Sequence, residues 1–89
     1  MHLDYPKYCV YVLWSSAHQK RYVGQTSDLI NRFKSHNILA NKGWTIRYRP
    51  WTVVYVRFFI SKTEALGYEK FLKNGHGRVW MNKNIEFKK

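Results

Sequence analysis

The chain has 89 residues and carries sixteen Lys and Arg against five Asp and Glu, which gives a net charge of +11. This length fits one domain, predicted over 1–89 with its core in about 7–85. No apolar run approaches the roughly 20 residues of a membrane-spanning helix, and the first residues lack the apolar segment of a secretory signal. The single cysteine, Cys9, has no partner for an internal disulfide, so a cytoplasmic location is expected.

The excess of positive charge predicts a polyanionic partner. Lys and Arg are spread from Lys7 to Lys89, and a folded surface of this kind attracts nucleic acid through its field and through counterion release. Aromatic side chains lie among the charges in residues 41–51, where they can stack on bases. An anionic membrane and a protein-interaction surface are alternatives that use the same charge. The pattern favours nucleic acid.

Two strands and a helix are predicted in the first half. Residues 8–14 (YCVYVLW) are β-branched and aromatic and predict a buried strand, and residues 21–25 (RYVGQ) predict a second. The short polar connection between them favours an antiparallel hairpin. Thr26 or Ser27 is predicted to cap the following helix, which runs to about residue 36 or 37, with Asp28 suited to its positive N-terminal end.

The second half predicts a loop, a strand and two helices. Residues 38–50 form the loop and 51–60 (WTVVYVRFFI) the third strand. Ser61 and Glu64 fit a capping box that begins a helix ending at Asn74, followed by Gly75. The stretch GHGR predicts a turn, and 78–85 a short last helix. The order β-β-α-β-α-α predicts an α+β fold with a three-stranded, mainly antiparallel sheet flanked by helices.

Glu69 does not fit a purely structural pattern. On a helical wheel it falls in the apolar arc between Ala65 and Leu66, where a carboxylate needs a partner. The sequence favours neither a metal ion nor a neighbouring Lys or Arg as the partner of the Glu69 carboxylate.

Arg32 and His36 lie one turn apart at the edge of the first helix's apolar arc. An Arg fork suits phosphate oxygens, and His suits proton transfer near neutral pH. The structural alternative is an ion pair of Arg32 with Asp28. Gly24, at a strand end, allows another backbone or a ligand to approach closely.

The order and spacing of these residues resemble the GIY-YIG nuclease superfamily over about residues 7–85. CVYVL precedes YVG, Tyr22 follows Tyr11 by eleven residues, and Arg32 and His36 come next. The stretch EALGYEKFLKNGHGR resembles the helix that carries the family's acidic metal ligand. The small stand-alone bacterial members are especially similar, since they share stretches such as KGW, RPW, EAL and GxGR. Five separated elements therefore match in order.

The resemblance implies a metal-dependent endonuclease that hydrolyses phosphodiester bonds in DNA, in repair, in recombination or in processing of branched or single-stranded DNA. It implies four catalytic side chains, namely Tyr11, Tyr22, Arg32 and His36. Glu69 would hold one Mg²⁺ or Mn²⁺ per site. Tyr11 would orient or deprotonate the attacking water, which requires the metal and Arg32 to lower the pKa of a phenol that is ordinarily near 10. The family's late Asn matches Asn84 or Asn82.

The nucleic-acid contacts are assigned from the YVG motif and from charge. The residues are Gly24, Lys42, Trp44, Arg47, Arg49, Lys73 and Arg78. Because the domain is small, specificity is slight, built into the groove or supplied by a protein partner. A non-catalytic binding module on the same fold is the alternative, and the choice among DNA, RNA, single-stranded, duplex and branched substrates stays open, as does the oligomeric state.

Overall fold

The computed structural model describes residues 5–88, so residues 1–4 and 89 of the predicted domain lie outside the described residues. The elements in chain order are β1 (Tyr8–Ser15), β2 (Lys20–Thr26), α1 (Leu29–Lys34) continued by a π-helical segment (Ser35–Leu39), a 3-10 helix (Trp44–Tyr48), β3 (Thr52–Phe59), α2 (Lys62–Leu72) and α3 (Gly75–Asn84). The predicted α+β fold and its order β-β-α-β-α-α are confirmed. Within the described residues no helix is long and apolar enough to cross a bilayer.

β1 is the central strand of the antiparallel sheet, whose order is β2-β1-β3. Its successive side chains point to opposite faces and so enter two separate cores. Val10 and Val12 pack in one core with residues of α2 and α3. Cys9, Tyr11 and Leu13 pack in the other, against aromatic residues on the side of α1. The strand is therefore buried on both faces, and β2 and β3 form the edges.

The cap of α1 lies later than predicted. Asp28 is the N-cap, and its carboxylate accepts hydrogen bonds from the backbone and side-chain nitrogens of Asn31, at 3.2 and 2.7 Å. Thr26 instead accepts a bond from the backbone N–H of Asp28 at 3.0 Å, which supports the turn. The prediction of a Thr26 or Ser27 cap is wrong. Within residues 5–88 the alternative ion pair between Asp28 and Arg32 does not form.

The GHGR stretch is the first turn of α3 and not a turn between helices. Helix α2 ends at Leu72, and Asn74 caps α3 by accepting a bond from the Gly77 N–H at 2.9 Å. A Cβ on Gly77 would lie 2.5 Å from Leu72 Cα, so glycine here lets the two helices approach closely. The Ser61 half of the predicted capping box is confirmed, because the Glu64 N–H donates to Ser61 Oγ at 3.1 Å. The Glu64 carboxylate accepts a bond from the Ser61 hydroxyl at 3.0 Å rather than from its backbone N–H.

Candidate active site

His36 is turned into the protein by the π-helical segment. The segment closes with a bond from the Ala40 N–H to the Ser35 carbonyl at 3.0 Å, and its wider turn rotates side chains relative to an α-helix. His36 is 8 % exposed, whereas Arg32, one turn earlier, is exposed. The prediction that both lie at the edge of the apolar arc is therefore wrong for His36, which is buried.

Arg49 closes the end of this segment. Its Nε donates to the His36 carbonyl at 2.7 Å, and its Nη2 donates to the carbonyls of Ser35 and Ala40 at 3.1 and 2.9 Å. The guanidinium predicted to hold nucleic acid is thus directed at three backbone carbonyls of its own chain. Arg49 is a cap for the π-helical segment and a positive charge behind His36.

A buried hydrogen-bonded chain joins Tyr11, His36 and Thr45. Tyr11 Oη lies 2.9 Å from His36 Nε2, and His36 Nδ1 lies 3.0 Å from Thr45 Oγ1. Burial lowers the pKa of His36, and the charges of Arg32 and Arg49 lower it further, so the imidazole is neutral at pH 7. A neutral ring donates from one nitrogen and accepts at the other, and either tautomer leaves the chain continuous.

Tyr11 is protonated in this arrangement. Burial raises its pKa well above the ordinary value of a phenol, with a further rise from Tyr22, and the opposing charge of Arg32 does not offset this. The charge of Arg32 does lower the Tyr11 pKa, as expected, but it does not outweigh burial on its own, and the expected contribution of a metal stays a prediction. Tyr11 is also only 1 % exposed. The Tyr11 hydroxyl is therefore engaged in its hydrogen bond with His36.

Gly24 provides the space that the Tyr11 ring occupies. The two residues are paired across the hairpin of β1 and β2. A Cβ on Gly24 would lie 2.5 Å from Tyr11 Cζ and 2.9 Å from Tyr22 Cε1. The close approach predicted for a ligand is therefore made by Tyr11, and Gly24 itself is buried. Gly24 thereby sets the positions of the phenol rings of Tyr11 and Tyr22.

Tyr22 and Trp44 form a partition between two clefts. The Tyr22 ring lies 4.6 Å from the His36 ring and 6.4 Å from the Trp44 ring, on which it is stacked. Trp44 is 46 % exposed. Both residues line both clefts, so each cleft is reached from the other by passing their rings.

The first cleft, called the His36 cleft, has a volume of about 320 Å³. Its lining includes the sequence-predicted Tyr22, Arg32, His36, Lys42 and Trp44. The second, called the Arg21 cleft, has a volume of about 310 Å³. Its lining residues are Arg21, Tyr22, Val23, Trp44, Leu72, Lys73, Arg78 and Met81. Of the predicted nucleic-acid contacts, Lys42, Trp44, Lys73 and Arg78 thus line clefts. Arg47 is exposed and lies over the Tyr48 ring at 5.9 Å.

Glu69 forms an ion pair with Lys73, which is the alternative to metal binding that the sequence left open. Its carboxylate accepts a bond from Lys73 Nζ at 3.1 Å and is 19 % exposed. Its charge contributes to the raised pKa of Tyr11, so it belongs to the same electrostatic environment. No group of three or more His, Cys, Asp and Glu gathers within residues 5–88. A half-buried single carboxylate fits Mg²⁺ that keeps several waters and takes its remaining ligands from phosphate, once Lys73 releases it.

Sequence reasoning missed Arg21 and Thr45. Arg21 Nη2 donates to Asn82 Oδ1 at 2.9 Å, and its guanidinium lies over an aromatic ring of the C-terminal segment. Asn84 donates to the Trp80 carbonyl of its own helix at 2.8 Å, so Asn82 is the late Asn that contacts a cleft residue. Arg21 carried no signal beyond its charge, and Thr45 lay in a predicted loop.

Residues 7–84 match the family model of the GIY-YIG catalytic domain, and the chain belongs to that family. Two relatives share the name structure-specific endonuclease subunit SLX1. The protein from Vanderwaltozyma polyspora is 34 % identical over 76 residues, which cover 78 % of this chain. The protein from Malassezia globosa is 41 % identical over 68 residues, which cover 73 % of it. The chain spans only 24 % and 15 % of the lengths of these relatives.

Proposed function

We propose that the chain is a DNA endonuclease that depends on a divalent metal and cuts at the His36 cleft. The observation that carries the proposal is the neutral imidazole of His36, hydrogen-bonded to Tyr11 behind a cleft that also presents Arg32. A cation that binds phosphate, a group able to accept a proton and a carboxylate for a metal are the parts that phosphodiester hydrolysis requires. The family supports the same reaction class.

Each side chain has a role that follows from its position. Exposed Arg32 binds the non-bridging oxygens of the scissile phosphate and neutralises their growing charge. Partly exposed Tyr22 contacts and orients the attacking water, because it is the phenol that lines the cleft. The proton passes to the Tyr11–His36 pair, with neutral His36 as acceptor. Glu69 would hold Mg²⁺ or Mn²⁺, and the ion would supply Lewis-acid stabilisation of the developing charge.

We further propose branched or locally unpaired DNA as the substrate. The relatives are named structure-specific endonuclease subunits, which supports a substrate defined by shape and a protein partner that supplies specificity. Exposed Trp44 beside the His36 cleft supports contact with an unpaired base, since stacking needs a free base face.

A non-catalytic binding module is the second candidate. The ion pair of Glu69 with Lys73 favours it, because this carboxylate is already satisfied without a metal. The near-complete burial of Tyr11 favours it as well.

Cleavage of labelled single-stranded, duplex and branched DNA separates the two functions. Mg²⁺, Mn²⁺ and EDTA are compared for the wild type, Glu69→Gln and Arg32→Gln. Glu86→Gln is the matched carboxylate control, since Glu86 is exposed and lines neither cleft. We expect losses of about 10²–10³-fold for the two site variants and none for the control. Tight, salt-sensitive binding with no cleavage of any substrate would instead establish the binding module.

A further inference from the structure

The Arg21 cleft contains a cation that is held in place but not neutralised. Arg21 Nη2 is bound by Asn82, and the guanidinium lies 4.2 Å from the centre of the Phe87 ring. Its Nη1 is buried and has no hydrogen-bond partner among the described residues. Within residues 5–88 no Asp or Glu lines this cleft. A guanidinium that is fixed in place with no carboxylate beside it suits a phosphate group.

Two further cations line the same cleft. Arg78 is exposed, and its charge adds to burial in lowering the pKa of Arg21, because like charges repel each other. Lys73, 55 % exposed, lies on the same rim and is paired with Glu69. An anion between Arg21 and Arg78 would relieve the repulsion.

The rest of the cleft is apolar. Val23, Leu72 and Met81 line it together with the rings of Tyr22 and Trp44. A bare anion leaves such walls without a contact, whereas a nucleotide has both a phosphate for the cations and a base for a ring. Because Trp44 and Tyr22 also line the His36 cleft, the two clefts adjoin each other.

We propose that the Arg21 cleft binds the nucleotide adjacent to the scissile phosphate, with its phosphate on Arg21 and Arg78 and its unpaired base on Trp44. This inference rests on the proposed function, since the scissile phosphate is the one that the protein would cut at the His36 cleft. It names a substrate feature, namely an unpaired nucleotide beside the cut. Arg21 and Arg78 act as binding and positioning residues, and the reacting atoms lie in the neighbouring cleft.

Interference mapping tests the phosphate contact. Branched DNA carries a neutral methylphosphonate at one backbone position at a time on either side of the branch, and affinity is measured by fluorescence anisotropy without metal. One position should weaken wild-type binding and should have a smaller effect on Arg21→Gln and on Arg78→Gln, because each variant has already lost one of the two contacts to that phosphate. Each variant should also reduce the magnitude of the salt slope by about 0.7–0.9. Arg57→Gln is the matched control, since Arg57 is exposed, lies over the Phe59 and Tyr68 rings and lines neither cleft.

The base contact is tested with an abasic nucleotide next to that phosphate. Trp44→Ala should weaken binding about 5- to 150-fold when the base is present and unpaired, and should have no effect when it is absent or when the DNA is fully duplex. An interference map that is the same in wild type, Arg21→Gln and Arg78→Gln would overturn the inference. If the interference map is unchanged and cleavage is normal, the nucleotide site in the Arg21 cleft is refuted, whereas the proposed endonuclease is not. If binding depends on one phosphate through Arg21 but the wild type cleaves no DNA, the nucleotide site is upheld and the proposed endonuclease is refuted.

Discussion

Replacement of Gly24 by alanine should damage stability and activity together. The new Cβ would lie 2.5 Å from Tyr11 Cζ and 2.9 Å from Tyr22 Cε1, against an ordinary contact of about 3.5–4 Å, so a ring must move by about 1 Å. Tyr11 is 1 % exposed and bonded to His36, which leaves its ring no free space. Overpacking of this kind costs about 1–3 kcal/mol, and the lower entropy of unfolded alanine returns only about 0.4–1 kcal/mol.

The loss of the Tyr11–His36 hydrogen bond adds about 0.5–1.5 kcal/mol, so we expect a net loss of about 1–3 kcal/mol. In a domain of this size that lowers Tm by about 4–20 °C. A displacement of about 1 Å at a reacting group costs about 10²-fold in rate. Thermal unfolding followed by circular dichroism and cleavage of branched DNA measure the two effects.

Gly67→Ala is the matched control. Gly67 lies within α2 and has no atom within 4 Å of its would-be Cβ. Alanine there should stabilise the protein by about 0.8–1 kcal/mol, because glycine is a poor helix former. If Gly24→Ala kept the Tm and the cleavage rate of the wild type, the account of Tyr11 as locked over Gly24 would be refuted.

Four further results are expected. Arg49→Gln should lower the free energy of unfolding in urea by about 2–3 kcal/mol, because it removes charged bonds to backbone carbonyls, whereas the exposed Arg47→Gln should change it by less than about 0.5 kcal/mol. Because the pKa of His36 is lowered on folding, the unfolded chain binds more protons below its ordinary pKa of about 6.5, so Tm should fall as pH drops from 7 to 5 and should fall less in His36→Gln. The pKa of His36, followed by NMR, should rise in Arg32→Gln, and no rise would contradict the assigned influence of the Arg32 charge. Gly77→Ala should lower Tm by more than Gly24→Ala does, since its Cβ would meet backbone atoms of α2 and a helix must shift.

The element order was predictable because the signals that set it are local. Period-two and period-3.6 patterns, a capping box and short connections lie within a few residues of one another. The boundaries were harder to predict, because Thr26, Ser27 and Asp28 are all good caps and only the final geometry selects among them. Gly75 followed the end of a helix in the prediction and begins α3 in the structure, because the close packing of Gly77 on α2 depends on the tertiary fold.

The candidate site was predictable where strand pairing alone defines it. The register of the hairpin sets Tyr11 opposite Gly24, and both were found from the two strand motifs. The burial of His36 was not predictable, since a π-helical segment has no clear pattern in sequence. Nor can charge alone distinguish a side chain that caps carbonyls, such as Arg49, from one that binds phosphate. Arg21 needed its three-dimensional neighbours for the same reason.

The position of Tyr11 on β1 ties the chemistry to the most protected part of the molecule. Residues 9–15 are buried between two cores, so their amides exchange with solvent only through opening of the whole sheet. Part of the wall of the His36 cleft comes from the exposed segment 42–44, which lies outside both cores. Substitutions in that segment can alter what is bound at little cost in folding free energy, whereas any change of the buried phenol is also a change of the core. Residues that would select the substrate can therefore change faster in evolution than the buried residues proposed to act in bond cleavage.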